Sequence, residues 1–183
     1  MTRVVAGTFK GRRLRTPPGD ATRPTSDRVR ESMFATLVSA FSGLDGLRVL
    51  DLYAGSGALG IEAISRGAVH ADLVDPDRHA VRTMRGNLDE LGITSAQVHA
   101  ATAQRFVRTP PLQPYDLVLL DPPYDVPTAE VSSLVAELAT PAWCLPDGLV
   151  VVERSTRDPF TWPDGVEPWA ERAYGETTLW YGR

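Results

Sequence analysis

The tetrad Asp121-Pro122-Pro123-Tyr124 carries the most specific chemistry in this chain. It follows Tyr115-Asp116-Leu117-Val118-Leu119-Leu120, a mostly apolar run of strand length. Proline has no amide hydrogen, so a turn built on two prolines offers carbonyls and a carboxylate but few donors. Such a site suits a substrate that donates, such as the exocyclic amino group of a nucleobase. The Asp121 carboxylate and a backbone carbonyl, that of Pro122, can hold both amine hydrogens, which aims the nitrogen lone pair outward. Tyr124 offers a π-face on which an extruded base can stack. Stiff prolines keep this geometry fixed, and positioning is most of what a group transfer to nitrogen requires. Pro-Pro turns also follow strands for structural reasons alone; the flanking Asp and Tyr are what point to chemistry.

A second group lies upstream. The run Arg48-Val49-Leu50-Asp51-Leu52-Tyr53 leads into Ala54-Gly55-Ser56-Gly57-Ala58-Leu59-Gly60, a strand, a glycine turn and a helix start. Glycines there let a ligand approach the backbone, but a structural turn uses the same residues, so the pattern alone is weak. Two carboxylates sharpen it. Asp75, ending Leu73-Val74-Asp75 before Pro76, stands where a carboxylate can accept both hydrogen bonds of a ribose diol. Asp51, four residues before Gly55, would face a cationic or amino ligand, or orient the loop. It would repel a pyrophosphate. The pair favours S-adenosylmethionine, which is cationic and has no phosphate, over a nicotinamide dinucleotide. The plainer reading makes both ordinary acids at strand ends.

These groups need a scaffold, and the hydrophobic pattern supplies one. Strands are expected at 48–53, 70–75, 97–101, 115–121 and 148–153, with helices near 58–66, 77–91, 103–108 and 128–139. Such alternation implies right-handed crossovers and a parallel sheet covered on both faces, which binds ligands beyond the C-terminal strand ends. Before it, Arg3-Val4-Val5-Ala6 and Arg12-Arg13-Leu14-Arg15 flank Gly7 to Gly11 as a hairpin. A helix over 25–41 follows, its stripe formed by Val29, Met33, Phe34, Leu37, Val38 and Phe41. Residues 172–181 read as one final strand, and 155–171 carry no functional reading.

Charge is uneven. Residues 1–30 hold eight bases against two acids, a net +6, whereas residues 31–183 hold 11 bases and 21 acids, a net −10. A basic arm on an acidic body suits a polyanionic partner. The longest aliphatic runs are four residues, which excludes a membrane helix. The N-terminus has no apolar signal segment and Cys144 is the only cysteine, so a soluble, cytoplasmic protein is expected. His70, His79 and His99 have no metal-like spacing with one another or with Cys144, so no metal is expected.

Val49 to Gly57 resembles motif I of class I S-adenosylmethionine-dependent methyltransferases, and Asp121 to Tyr124 resembles their amino-methylating motif IV. More narrowly, the chain resembles the RsmD family, which methylates N2 of a guanine in 16S rRNA. The likeness runs through Arg3-Val4-Val5-Ala6-Gly7, Lys10-Gly11-Arg12, Arg23-Pro24-Thr25, the helix start Asp27-Arg28-Val29-Arg30-Glu31 with Phe34, and Tyr174-Gly175-Glu176-Thr177. It implies a Rossmann-like α/β fold: a seven-stranded, mostly parallel sheet with an antiparallel last strand, plus an N-terminal β-hairpin. Residues 1–24 would be a basic extension and 25–183 the methyltransferase domain. The cofactor would be held by Asp51, Tyr53, Ala54, Gly55, Ser56, Gly57, Gly60, Asp75, Pro76, Thr102 and Ala103; relatives usually carry an acidic or amide residue where Thr102 stands. The guanine would be held by Asp121 to Tyr124. The RNA would be met by Arg3, Lys10, Arg12, Arg13, Arg15, Arg23, Thr25, Arg28 and Arg30, within 16S rRNA, the small ribosomal subunit or an assembly intermediate. A monomer acting without metal or membrane is expected.

The nearest rival is an adenine-N6 methyltransferase acting on DNA or RNA, since adenine N6 is also an exocyclic amine. The family likeness disfavours it, as does a length that leaves no room for a separate target-recognition domain. A nicotinamide oxidoreductase is disfavoured by Asp51, and a purely RNA-binding protein by the tetrad. If the arm is separate from the body, deleting residues 1–19 should weaken RNA binding and leave cofactor binding in place.

Overall fold

The computed structural model describes residues 2–18 and 27–183. Two short strands, β1 (Thr2–Arg3) and β2 (Arg13–Leu14), form an antiparallel hairpin, and helix α1 (Asp27–Phe41) follows. Strands and helices then alternate as β3 (Arg48–Leu52), α2 (Ala58–Ser65), β4 (His70–Asp75), α3 (Arg78–Leu91), β5 (Ala96–Ala100), α4 (Ala103–Phe106), β6 (Tyr115–Leu120), α5 (Thr128–Leu138) and β7 (Cys144–Ser155). The chain ends with β8 (Pro168–Tyr174) and β9 (Thr177–Gly182).

The sheet order is β5-β4-β3-β6-β7-β9-β8. β5, β4, β3, β6 and β7 are mutually parallel, and β9 runs antiparallel to both its neighbours. The expected sheet with an antiparallel last strand is therefore present. Chain direction across the sheet reverses between β3 and β6, the place where open α/β sheets leave a crevice for ligands.

Alternation along the strands builds two cores. Val49, Leu73, Leu117, Leu119, Leu149 and Val151 face α1, α2 and α3, while Leu50, Leu52, Val74, Val118, Leu120 and Val152 face α4 and α5. Helix α3 shows the local logic. Val81, Met84 and Leu88 bury one side, the Asp77 carboxylate caps the start by accepting from the His79 and Ala80 amides, and Gly92 in the left-handed region (φ 68°) ends it.

Two expectations change. The single last strand is a hairpin, because Gly175 (φ 61°) turns the chain and pairs Tyr174 with Thr177. Its outer strand β8 is an edge strand exposed on both faces, so it carries no apolar period. The arm is also no separate body: Val4 and Leu14 are buried in the same core as α1 to α3. The expected boundary near residue 24 and the helix start at residues 25 and 26 lie outside the described residues, as do Arg23 and Thr25. No helix of the described residues is long and apolar enough to cross a membrane.

Candidate active site

Parallel register lines up the candidate groups. Leu52 pairs with Val74 on one side and Leu120 on the other, so the next residues, Tyr53, Asp75 and Asp121, form a row at the ends of three neighbouring strands. With strands about 4.8 Å apart, Asp75 and Asp121 flank the glycine loop at a separation of about 10 Å. Thr102 and Ala103 continue the row beyond β5.

The loop is tied down from below. The Asp75 carboxylate accepts from the Gly55 amide (2.9 Å) and from the Asp77 amide (2.9 Å). The Ala54 amide donates to Val74 O and the Gly57 amide to Ala54 O. Tyr53 turns the chain with a positive φ of 61°, unusual for a side chain of its size, and Gly57 (φ 78°) opens α2. Gly60 is required by space, since a Cβ there would lie 2.1 Å from Leu73 Cδ2.

Asp51 is the unusual group. It is buried; Oδ2 accepts from the Gly60 amide (2.9 Å), and Oδ1 is buried with no hydrogen-bond partner. Burial pushes its pKa up to about 7, partly opposed by the Gly60 amide, and the negative charges of Asp121 and Asp75 raise it further. Three carboxylates thus converge on one small site. A buried, unpaired carboxylate oxygen costs free energy unless a donor or cation meets it. This set of acceptors fits a cationic ligand and disfavours a phosphate.

The tetrad is braced by a residue that the sequence reading passed over. Arg154, at the end of β7 and only 1% exposed, donates from Nη1 to Pro123 O (3.3 Å) and from Nη2 to Val126 O (2.9 Å), Thr128 Oγ1 and the Asp158 carboxylate. Its signal was a charged pair, Glu153-Arg154, continuing a buried aliphatic run. Tyr124 is exposed, and its hydroxyl meets Thr177 Oγ1 at 3.3 Å. Replacing Arg154 with Met nearly keeps the volume but takes the guanidinium from Val126 O and leaves Pro123 O with the Val126 amide alone. The expected result is a roughly 10–10²-fold fall in kcat with cofactor affinity unchanged, the effect of a small misplacement at the reacting group. Single-turnover kinetics together with calorimetry checks it; unchanged kcat would make Arg154 a packing residue only.

Pro76 is exposed at the mouth beside Asp75. Thr102 caps α4, its hydroxyl accepting from the Arg105 amide at 3.2 Å. Ala103 buries its methyl in the core, so only its backbone can face a ligand. The half-buried Tyr53 hydroxyl accepts from Gln104 (3.4 Å), whose amide also donates to Glu130.

The RNA candidates divide. Lys10, Arg12, Arg13, Arg15 and Arg28 are exposed. Arg3, also exposed, pairs with Asp27 (3.0 Å). Arg30 is a correction. It is 3% exposed, bonded to Asp27 and Arg3 O and close to the Glu62 carboxylate, so it holds the arm rather than meeting RNA. Its position three residues before Met33 and four before Phe34 puts it on the buried stripe.

The arm docks onto the helices that carry the site. Glu62 in α2, fully buried, accepts from the Val5 and Ala6 amides, and Ser65 is bonded to Ala6 O and the Phe9 amide. Asn87 in α3 accepts from the Arg15 amide and donates to Arg15 O and to Ser56 O in the glycine loop. Deleting residues 1–19 would leave Glu62 and Asn87 short of partners and open the core at Val4 and Leu14. Because Asn87 also holds Ser56 O, that deletion should disturb the glycine loop along with the arm, contrary to the expectation from sequence.

The family model described as conserved hypothetical protein 95 matches residues 2–183. Ribosomal RNA small subunit methyltransferase D of Haemophilus influenzae is 32% identical over 176 residues, covering 94% of this chain and 89% of its own. The protein of that name from Escherichia coli is 34% identical over 151 residues, 82% and 73% of the two chains. The chain belongs to this family, the RsmD methyltransferases. The solved structure of yhhF from Escherichia coli superposes with a TM-score of 0.84 at 32% identity, covering 99% of this chain and 96% of that one. A Thermus thermophilus protein, TTHA0928, gives 0.82 at 28% identity with 99% and 98% covered. In this RsmD methyltransferase Asn87 joins the arm at Arg15 to the glycine loop at Ser56, and the Gly55 amide joins the loop to Asp75.

Proposed function

We propose that this chain transfers a methyl group from S-adenosylmethionine to the exocyclic N2 of a guanine in 16S ribosomal RNA. The observation that carries the reading is the row of Asp75, the glycine loop and the Asp121 tetrad at the sheet's switch point, with the buried Asp51 beneath it. The names of the family's curated relatives support the RNA class.

S-adenosylmethionine, when bound, supplies an electrophilic methyl on a cationic sulfur. The chain's own residues do the rest. Asp75 accepts from the ribose hydroxyls with lone pairs that the Gly55 and Asp77 amides leave over. Asp51 supplies negative charge beneath the loop, matched to a ligand that carries both an ammonium and a sulfonium. Thr102 and the Ala103 backbone stand at the adenine edge. Asp121 and the Pro122 carbonyl accept the two hydrogens of the guanine amine, Tyr124 stacks on the base, and Arg154 keeps the turn in place. The amine gives up one proton as the new N–C bond forms, and Asp121 is the group positioned to take it. Ribosomal RNA as substrate places this work in the cytoplasm.

Asp51 makes the cofactor assignment testable through pH. Its native pKa of about 7 lies above the 3.8 of a free aspartate side chain, so between these values the folded state holds a proton that the unfolded state has lost. Its contribution to stability is therefore fully present below about pH 4 and lost as pH rises through about 7. A cationic ligand favours the ionised form. S-adenosylmethionine binding at pH 6 should release protons, and affinity should climb with pH and level off above about 7. Calorimetry in buffers of different ionisation enthalpy reads this directly, with NAD as a ligand expected not to bind. Asp51→Asn should abolish the proton release; release persisting in that variant would assign it to another group.

A further inference from the structure

Resting on the reading above, we propose that the exposed face of α3 is a phosphate-binding ridge, formed by Arg78, Arg82 and Arg85, that carries the RNA backbone between the cofactor mouth and the N-terminal arm. The three residues stand at i, i+4 and i+7, so they share one side of the helix, beside the buried stripe of Val81, Met84 and Leu88. All three are exposed, and among the described residues none is bonded to an acid. At 1.5 Å rise per residue the ridge is about 10 Å long.

Its charge runs against what the helix itself would select. Helices are stabilised by acids in the first turn and bases in the last. Helix α3 has no acid in its first turn and no base in its last; its arginines occupy the first eight positions, and Asp89 and Glu90 come at the end. Residues 31–183 carry a net −10, so an uninterrupted basic ridge is not what that surface offers in general.

Position ties the ridge to the chemistry. Arg78 follows Asp75 by three residues and stands at the mouth, two strands from the tetrad. At the other end the arm lies against α3. Arg12 donates to Glu90 O, Arg15 pairs with the Glu90 carboxylate (3.0 Å), and a Cβ on Gly86 would lie 3.9 Å from Arg15 Nη1. The Arg15–Glu90 pair is exposed and therefore weak, so a phosphate can displace it. A basic track thus runs from the mouth along α3 to Arg15 and Arg12. Arginine suits it, because its planar fork binds phosphate oxygens in pairs.

The test uses the full chain, an unmodified 16S rRNA transcript and S-adenosylhomocysteine, with binding measured across a salt series. Arg78→Gln, Arg82→Gln and Arg85→Gln combined should make the log–log salt slope shallower by about two, at about 0.7 per contact. The same variant should raise KM for rRNA with cofactor affinity unchanged. A control with the same charge change, Arg157→Gln, Arg172→Gln and Arg183→Gln, should keep the wild-type slope. A ridge variant with wild-type slope and KM, beside a wild type that methylates rRNA, overturns the ridge and leaves the function standing. Equal losses in ridge and control variants overturn it as well, by reducing the effect to net charge. A wild type that neither binds nor methylates rRNA overturns the function, and the ridge with it.

Discussion

Asp121→Ala should lose roughly 10²–10³-fold or more in kcat, the cost of removing one group aimed at the reacting centre, while cofactor affinity stays close to wild type. The separation follows from placement. The Asp121 backbone is held by its own amide, which donates to Leu52 O (3.4 Å), so truncating the side chain leaves the turn anchored. Arg154 holds the same turn from the other side. What disappears is the carboxylate proposed to meet the amine. There is a second, independent signature. The Asp121 charge raises the Asp51 pKa, so in Asp121→Ala the Asp51 titration should move to lower pH, and the pH at which cofactor affinity levels off should fall with it. Asp121→Asn keeps one acceptor oxygen but brings two amide donors facing an amine, and it should recover little. Near-wild-type turnover in Asp121→Ala would remove the tetrad from the chemistry.

The second large effect is expected at Asp75. Asp75→Ala should weaken S-adenosylmethionine binding by about 1.5–3 kcal/mol, the range for hydrogen bonds to a charged group. Two causes add there. The ribose loses its acceptor, and the Gly55 amide, held at 2.9 Å, loses the group that shapes the loop. Because the ribose is common to both ligands, S-adenosylhomocysteine should weaken by the same factor. Unequal losses would show that Asp75 senses the charged sulfur instead. A lower melting temperature is also expected, because the freed Gly55 and Asp77 amides lose a shared acceptor. An unchanged dissociation constant would leave Asp75 as a strand-end acid with no ligand.

The parts of this molecule that could be read from sequence are those set by local period and turn chemistry. Strand β4 lies at 70–75, as the apolar run with Asp75 at its end implies, and α3 at 78–91 fills the span expected for that helix. The row of Tyr53, Asp75 and Asp121 follows from the same rule, since each ends a buried run in a parallel sheet. What escaped depends on partners far away in the chain. Glu62, Asn87 and Arg154 are polar residues of ordinary surface type, and each is buried only because a backbone segment 28–72 residues distant supplies its hydrogen bonds. Arg30 is buried in the same way: its partners Arg3 O and Glu62 come from the arm and from α2. Strand β8 escaped because an exposed edge strand needs no apolar face. The arm looked separable because its charge set it apart, yet Val4 and Leu14 belong to the main core.

Methylation of unmodified 16S rRNA by the full chain, with labelled S-adenosylmethionine and mapping of the modified nucleotide, tests the central claim most directly. The expected result is one labelled guanine carrying its methyl on N2, with the label absent when Asp121→Ala replaces the wild type. Label on adenine N6, or on a ring nitrogen or ribose oxygen of any nucleotide, would contradict the guanine-N2 assignment.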